Sequence, residues 1–175
     1  MRADAPPSGA GRAALSPHIR TAREEDIESL VQLTLAAFVP VFASFERMLG
    51  PAVYKLIWPD WRASQRKGVE TLCRERDKYT VWVAEADGAA VGLVAWSVDL
   101  TDKTGRVQFL AVHPGHQNRG IGTALNELAL KKMKEAGVRL ASVETGNDQS
   151  HAPARRSYEK AGFVAMPLVR YFKNL

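Results

Sequence analysis

Residues 106–122, Arg-Val-Gln-Phe-Leu-Ala-Val-His-Pro-Gly-His-Gln-Asn-Arg-Gly-Ile-Gly, constrain the fold more than any other stretch. Val107 to Val112 is an apolar, β-branched and aromatic run stopped by Pro114-Gly115, which reads as a buried strand. From Ile121 the period changes. Ile121, Ala124, Leu125, Leu128, Ala129, Met133 and Ala136 fall on one stripe at helical spacing, the polar residues take the other face, and Gly137 supplies a stop. Val138 to Thr145 is again strand-like. Strand, loop, helix and strand in this order, with both strands in one sheet, require a parallel pair and a right-handed crossover, so the chain is of the α/β class.

The loop between strand and helix is the chemically informative part. Gly120 and Gly122 flank the helix start, where unpaired backbone N–H groups and the positive end of the helix dipole favour a phosphate or diphosphate. A glycine turn that only reverses the chain has the same bare Gly-x-Gly. A Walker A loop is excluded, because Gly115 to Gly120 has its spacing but Ile121 stands where lysine is required. A dinucleotide fingerprint needs a third glycine where Leu125 stands, although Glu144 imitates the ribose-binding acid. The pattern Gln/Arg-x-x-Gly-x-Gly/Ala is met in full by Gln117 to Gly122.

With that loop, the strand Leu110-Ala111-Val112 before it, and Ala154-Arg155-Arg156-Ser157-Tyr158-Glu159-Lys160-Ala161-Gly162-Phe163 beyond, the chain resembles the GNAT family of acetyl-CoA-dependent N-acetyltransferases. The detailed match covers about sixty residues, and the order of elements covers most of the chain. The resemblance implies a central mixed sheet of about six or seven strands, splayed at the cofactor strand and flanked by about four helices. It implies acetyl-CoA as cofactor, with the pantetheine arm on the backbone of Leu110, Ala111 and Val112 and the diphosphate on Gln117, Asn118, Arg119, Gly120, Ile121, Gly122 and Thr123.

Acetyl transfer to an amine must manage two protons. An aliphatic ammonium with a pKa near ~10.4 costs about 4.6 kcal/mol to deprotonate at pH 7, whereas protonating a leaving thiolate of pKa ~8.5 gains only about 2 kcal/mol. The resemblance places Tyr158 beside the sulfur as its donor. The base is where the chain departs from the family: many relatives carry a glutamate at the position of Arg106, and an arginine stays protonated. Glu144 is the first candidate, since a carboxylate also attracts a cationic amine, and it could equally be an ion-pair partner for an arginine. His151 is the second, at a position where relatives usually carry an asparagine, after a loop about four residues longer than expected. A water chain is the third.

The helix expected after His18-Ile19-Arg20 starts at a capping box of Thr21 and Glu24 and is stopped by Pro40. A helical arm, residues 42–75, follows, and in the family this region is the variable wall over the acceptor. Trp58-Pro59-Asp60-Trp61 places two indoles and a carboxylate at one bend, so Trp58 and Trp61 are the candidate acceptor-binding residues, while Phe38, Phe42 and Phe45 read as a core stripe. A hairpin turning at Asp87-Gly88 precedes the cofactor strand, and two closing strands are expected over 163–166 and 168–172.

Composition bounds the rest. At 175 residues, 46% apolar and 25% charged, the chain suits one soluble domain, expected over 18–175, behind an Ala/Gly/Pro/Ser-rich tail, 1–17, that reads as disordered. Net charge is 24 − 19 = +5, with basic residues scattered among acids, so no nucleic-acid partner is expected. Cys73 is the single cysteine, which favours the cytoplasm and a structural role, and the four histidines lack metal-ligand spacing. No run approaches the ~18 apolar residues of a membrane span. The expected partner is a small-molecule or peptide amine, and a homodimer is one the resemblance allows. A catalytically weak CoA-binding module with a sensing role is the alternative.

Overall fold

The computed structural model describes residues 17–175, so the tail expected over 1–17 lies outside the described residues but for Pro17. Five strands, β1 (His18–Thr21), β2 (Thr80–Ala86), β3 (Ala89–Asp99), β4 (Thr104–Val112) and β5 (Leu140–Val143), form one sheet in sequential order. Neighbours pair antiparallel up to β4, and β4 pairs parallel with β5. Four helices accompany it: α1 (Ile27–Ile57), α2 (Trp61–Arg74), α3 (Ile121–Glu135) and α4 (Ala152–Lys160). The architecture is therefore the expected mixed α/β sheet, with fewer strands among the described residues than expected.

Both faces of the sheet are covered. Leu30, Val31 and Val69 of α1 and α2 pack with Val83, Leu93 and Ala111 on one side, while Leu125, Ala129 and Met133 of α3 pack with Val94, Trp96 and Val107 on the other. Central β3 is accordingly buried without interruption from Val91 to Trp96, the pattern of a strand between two helical layers. Each fully buried leucine in these layers contributes ~1.5–3 kcal/mol. The β2–β3 hairpin turns at Asp87 (φ 51°) and Gly88 (φ 74°), both left-handed as a tight two-residue turn demands.

The N-terminal helix departs from expectation at both ends. Its first turn is capped at Arg23, whose N–H donates to Asp26 Oδ2 (2.7 Å), and Thr21 belongs to β1. Arg20 donates to Asp26 (2.7 and 2.9 Å) and to Glu85 (2.8 Å), joining strand, helix start and β2; this guanidinium holds the Asp26 carboxyl below the usual carboxylate range against the opposing effect of burial. Pro40 does not end the helix. α1 runs through it and kinks only at Gly50 (φ 71°), because the one lost N–H is outweighed by burial of Val41 and Phe42 immediately beyond. Residues 24–57 are long and apolar enough, by length and composition alone, to cross a membrane, yet Leu30, Val31 and Leu33 are core residues against the sheet.

The two closing strands do not form. After Gly162 (φ 88°) ends α4, residues 163–175 have no regular structure, and Val164, Met166, Leu168, Val169 and Tyr171 are exposed.

Candidate active site

The site begins where β4 loses a neighbour. β5 pairs only with Thr104 to Val107, whereas β3 accompanies β4 to Val112, with a bulge at Gln108 between the Ala95–Phe109 and Trp96–Val107 pairs. Beyond that bulge the second edge of β4 is open. The His113 N–H donates to Val91 O on β3 (2.9 Å), so by alternation Ala111 faces β3 while the backbone groups of Leu110 and Val112 face the open edge. Gln117 Nε2 donates to Val112 O (3.0 Å), folding the glycine loop back over the end of the strand.

That loop enters α3 through Gly120 in the left-handed region (φ 83°), with no side chain capping the helix and no acid in its first turn. The N–H groups of Ile121, Gly122 and Thr123 therefore lack intrahelical partners, and the dipole there is positive. A cavity of about 480 Å³ runs from this helix start along the open edge of β4 to α4. Nine of the ten predicted cofactor residues line it; Arg119 does not. Open strand edge, unclaimed amides and glycines at the closest approach fit a pantetheine arm continued by a diphosphate.

α4 forms the opposite wall and is fixed to α3 by a buried bond from Asn126 Nδ2 to Ser157 Oγ (3.0 Å). Tyr158, next along, lines the cavity, is 8% exposed and packs edge-on against Phe163. Burial pushes its phenol up to about 12, so it is protonated at any working pH. The two candidate bases sit differently. Glu144 lines the cavity with its side chain 72% exposed and paired to Arg106 Nη2 (3.1 Å). His151 is enclosed: its Nδ1 lies 2.5 Å from Asp148 Oδ1 and its ring stacks on Phe45. Burial acts to raise the Asp148 carboxyl, but hydrogen bonds from Ser150, Ser44 and His151 hold it well below the usual carboxylate range.

Neither Trp58 nor Trp61 lines the cavity. Trp61 is 8% exposed and stacks on Phe42 at 4.3 Å, and Trp58 stacks on Phe45 at 4.8 Å, so both indoles belong to a core cluster behind the wall. The wall itself is Ala37, Phe38, Pro40 and Val41 of α1, with Phe38 stacked on Phe109. Trp61→Ala is expected to lower stability by ~3 kcal/mol in urea denaturation, the cost of emptying a packed aromatic site, with CoA affinity unchanged. Asp148, Gly146, Ser44 and the α1 wall were not among the predicted residues. A signal for the first was present, since Asp148 three residues before His151 is an N-cap spacing. Cys73 is buried and its thiol is pushed up to about 11, which leaves no thiolate nucleophile there. Among the described residues no three His, Cys, Asp or Glu side chains gather as a metal would need.

The Acetyltransferase (GNAT) family matches residues 50–163, from the α1 kink to the end of α4. The chain belongs to the GNAT acetyltransferase family. Within it, this GNAT chain is 35% identical over 89 residues to a mycothiol acetyltransferase of Beutenbergia cavernae, a match covering 50% of the chain but only 29% of that relative. It is 23% identical to the S-(2-succino)cysteine N-acetyltransferase of Bacillus subtilis over 86% of each chain. The fold superposes on the PaiA N-acetyltransferase of Thermoplasma acidophilum in complex with coenzyme A with a TM-score of 0.68, at 21% identity, over 87% of this chain and 92% of that one.

Proposed function

We propose that this protein transfers the acetyl group of acetyl-CoA to a primary amine by direct attack within a ternary complex. The observation that carries it is the open edge of β4 running into the uncapped glycine start of α3, with Tyr158 and His151 on the facing wall. The thioester carbonyl then lies beside the β4 backbone amides, and a backbone N–H aimed at the developing oxyanion contributes ~3 kcal/mol.

We assign the base to His151. Glu144 is occupied by Arg106 in an exposed ion pair, whereas His151 is the titratable group at the cavity whose geometry is fixed on two sides. The ammonium loses a proton to His151, the nitrogen forms the C–N bond, and the C–S bond breaks. On collapse the nitrogen loses its second proton; one of the two ends on the CoA sulfur and the other is released to solvent. A phenol near 12 is about 3.5 units too weak an acid to hand its proton outright to a thiolate of pKa ~8.5, so Tyr158 acts by hydrogen bonding to the departing sulfur. Tyr158→Phe is expected to lower kcat ~10- to 30-fold with the CoA Kd within twofold, a loss matching one hydrogen bond to a charged atom.

The acceptor wall of Phe38, Pro40 and Val41 suits an amine carrying an apolar portion. The test is acetyl-CoA consumption against S-substituted cysteines, arylalkylamines, polyamines, aminoglycosides and peptide N-termini, with products identified by mass spectrometry. Turnover giving an N-acetylated product is the expected result. Tight CoA binding with no turnover on any amine would favour the CoA-sensing alternative.

A further inference from the structure

We propose that Asp148, fixed by Ser44, is a positioning residue that holds His151 as its Nδ1–H tautomer and so presents Nε2 to the acceptor amine. The proposal rests on the assignment of His151 as base made above. An ionised carboxylate only accepts hydrogen bonds, so at 2.5 Å from Asp148 Oδ1 the Nδ1 of His151 must carry the proton. The second ring nitrogen is then the one with a free lone pair. With Nδ1 engaged and one ring face on Phe45, it is also the one the cavity can use.

The surroundings are built around this pair. The side chains are 8% and 14% exposed, and the other carboxylate oxygen accepts from Ser44 Oγ (2.8 Å), from the Ser150 N–H (3.0 Å) and from the Ser150 hydroxyl. Arg155 Nη1 donates to the carbonyls of Gly146 (2.6 Å) and Asp148 (2.8 Å), locking the loop that carries the carboxylate. At Gly146 a Cβ would fall 2.5 Å from His151 Nδ1 and 2.6 Å from Asp148 Oδ1, so the chain passes the pair at a distance only glycine allows. This explains a glycine in a loop whose φ is otherwise ordinary. It also gives the extended 144–151 segment a task, since that segment brings a carboxylate under the imidazole.

Ser44 adds a second consequence. It lies on α1 one turn beyond Pro40 and Val41, which form the acceptor wall, and it reaches the carboxylate across 104 residues of sequence. The helix that the acceptor rests on therefore also braces the base. In contact with His151 are Asp148 and Ser150 from its own turn and Phe45 from α1; the other titratable groups of the cavity lining are His116, Glu144, Arg156, Tyr158 and Lys160, and Arg155 binds the Asp148 carbonyl.

The test is 15N NMR of protein labelled with 15N-histidine and saturated with CoA, in wild type and in Asp148→Asn, Ser44→Ala and His151→Ala. His151→Ala assigns the resonance. The wild type is expected to show Nδ1–H with Nε2 bare. Asp148→Asn is expected to populate the second tautomer, since an amide no longer requires the proton on Nδ1. Ser44→Ala should move the tautomer balance in the same direction by less. An unmoved tautomer balance in Asp148→Asn overturns the positioning role; if that variant does not fold, an unmoved balance in Ser44→Ala does so. Failure of the base assignment is read separately, as His151→Ala retaining wild-type turnover across the amine panel while the NMR shifts persist, and it takes the positioning role with it.

Discussion

His151→Ala is expected to lower kcat with a reactive amine ~10²- to 10³-fold at pH 7, the range over which a positioned general base acts. The direction with pH is also defined. In the wild type the base must be neutral to accept a proton, so kcat/KM should fall toward acid pH. The alanine variant loses that limb. It then depends on amine already free in solution, whose fraction for a pKa of ~10.4 rises from about 0.0004 at pH 7 to about 0.04 at pH 9. Raising the pH by two units should therefore restore the variant's rate up to ~100-fold, far more than it raises the wild type's. Glu144→Gln, which breaks only an exposed ion pair with Arg106, is expected within about twofold of wild type. A pH profile that moves with Glu144→Gln and not with His151→Ala would exchange the two roles. His151→Gln controls for the stacking contact with Phe45, because it keeps volume at the site without a titrating group.

The features legible in the sequence are those carried by short-range periodicity. Val107 to Val112 and Ile121 to Ala136 declare strand and helix within a few turns, and the glycine loop between them is read from its own spacing, so the cofactor half of the proposed site falls on one continuous stretch. What the local pattern does not carry depends on partners distant in sequence. Residues 163–172 have a pattern that suits a sheet, but such a pattern does not create an edge to receive it, and here none is taken. Pro40 carries a local stop signal that the packing of Val41 and Phe42 overrides. The Trp58–Trp61 bend shows where aromatic surface collects and not which way it faces; the two indoles stack on Phe42 and Phe45, and none of the four lines the cavity. Asp148 has the local spacing of a helix cap, and its bond from Ser44, on another element, has no local signal.

Gly122→Val is expected to weaken CoA binding ~100-fold while leaving the fold intact, and the contrast with Gly137→Ala makes that outcome diagnostic. At Gly122 a Cβ would stand 3.6 Å from Ser157 Oγ and 3.7 Å from Val112 Cγ2, ordinary contact distances, and the backbone is helical, so a Cβ is accommodated there. The residue nonetheless lines the cavity at the first turn of α3, where backbone amides need direct approach to an anion. A branched side chain holds a diphosphate off those amides. Losing one or two hydrogen bonds to a charged group costs ~2–3 kcal/mol, and about 2.8 kcal/mol corresponds to the hundredfold in Kd. Gly137, at the far end of the same helix, has φ 92° with nothing near its Cβ position. Alanine there should cost ~1 kcal/mol of stability through backbone strain and leave the CoA Kd unchanged. Calorimetric titration with CoA, paired with thermal melts, separates the two effects. If Gly122→Val binds CoA as the wild type does, the diphosphate is not held at the start of α3, and the placement of the thioester along β4 fails with it.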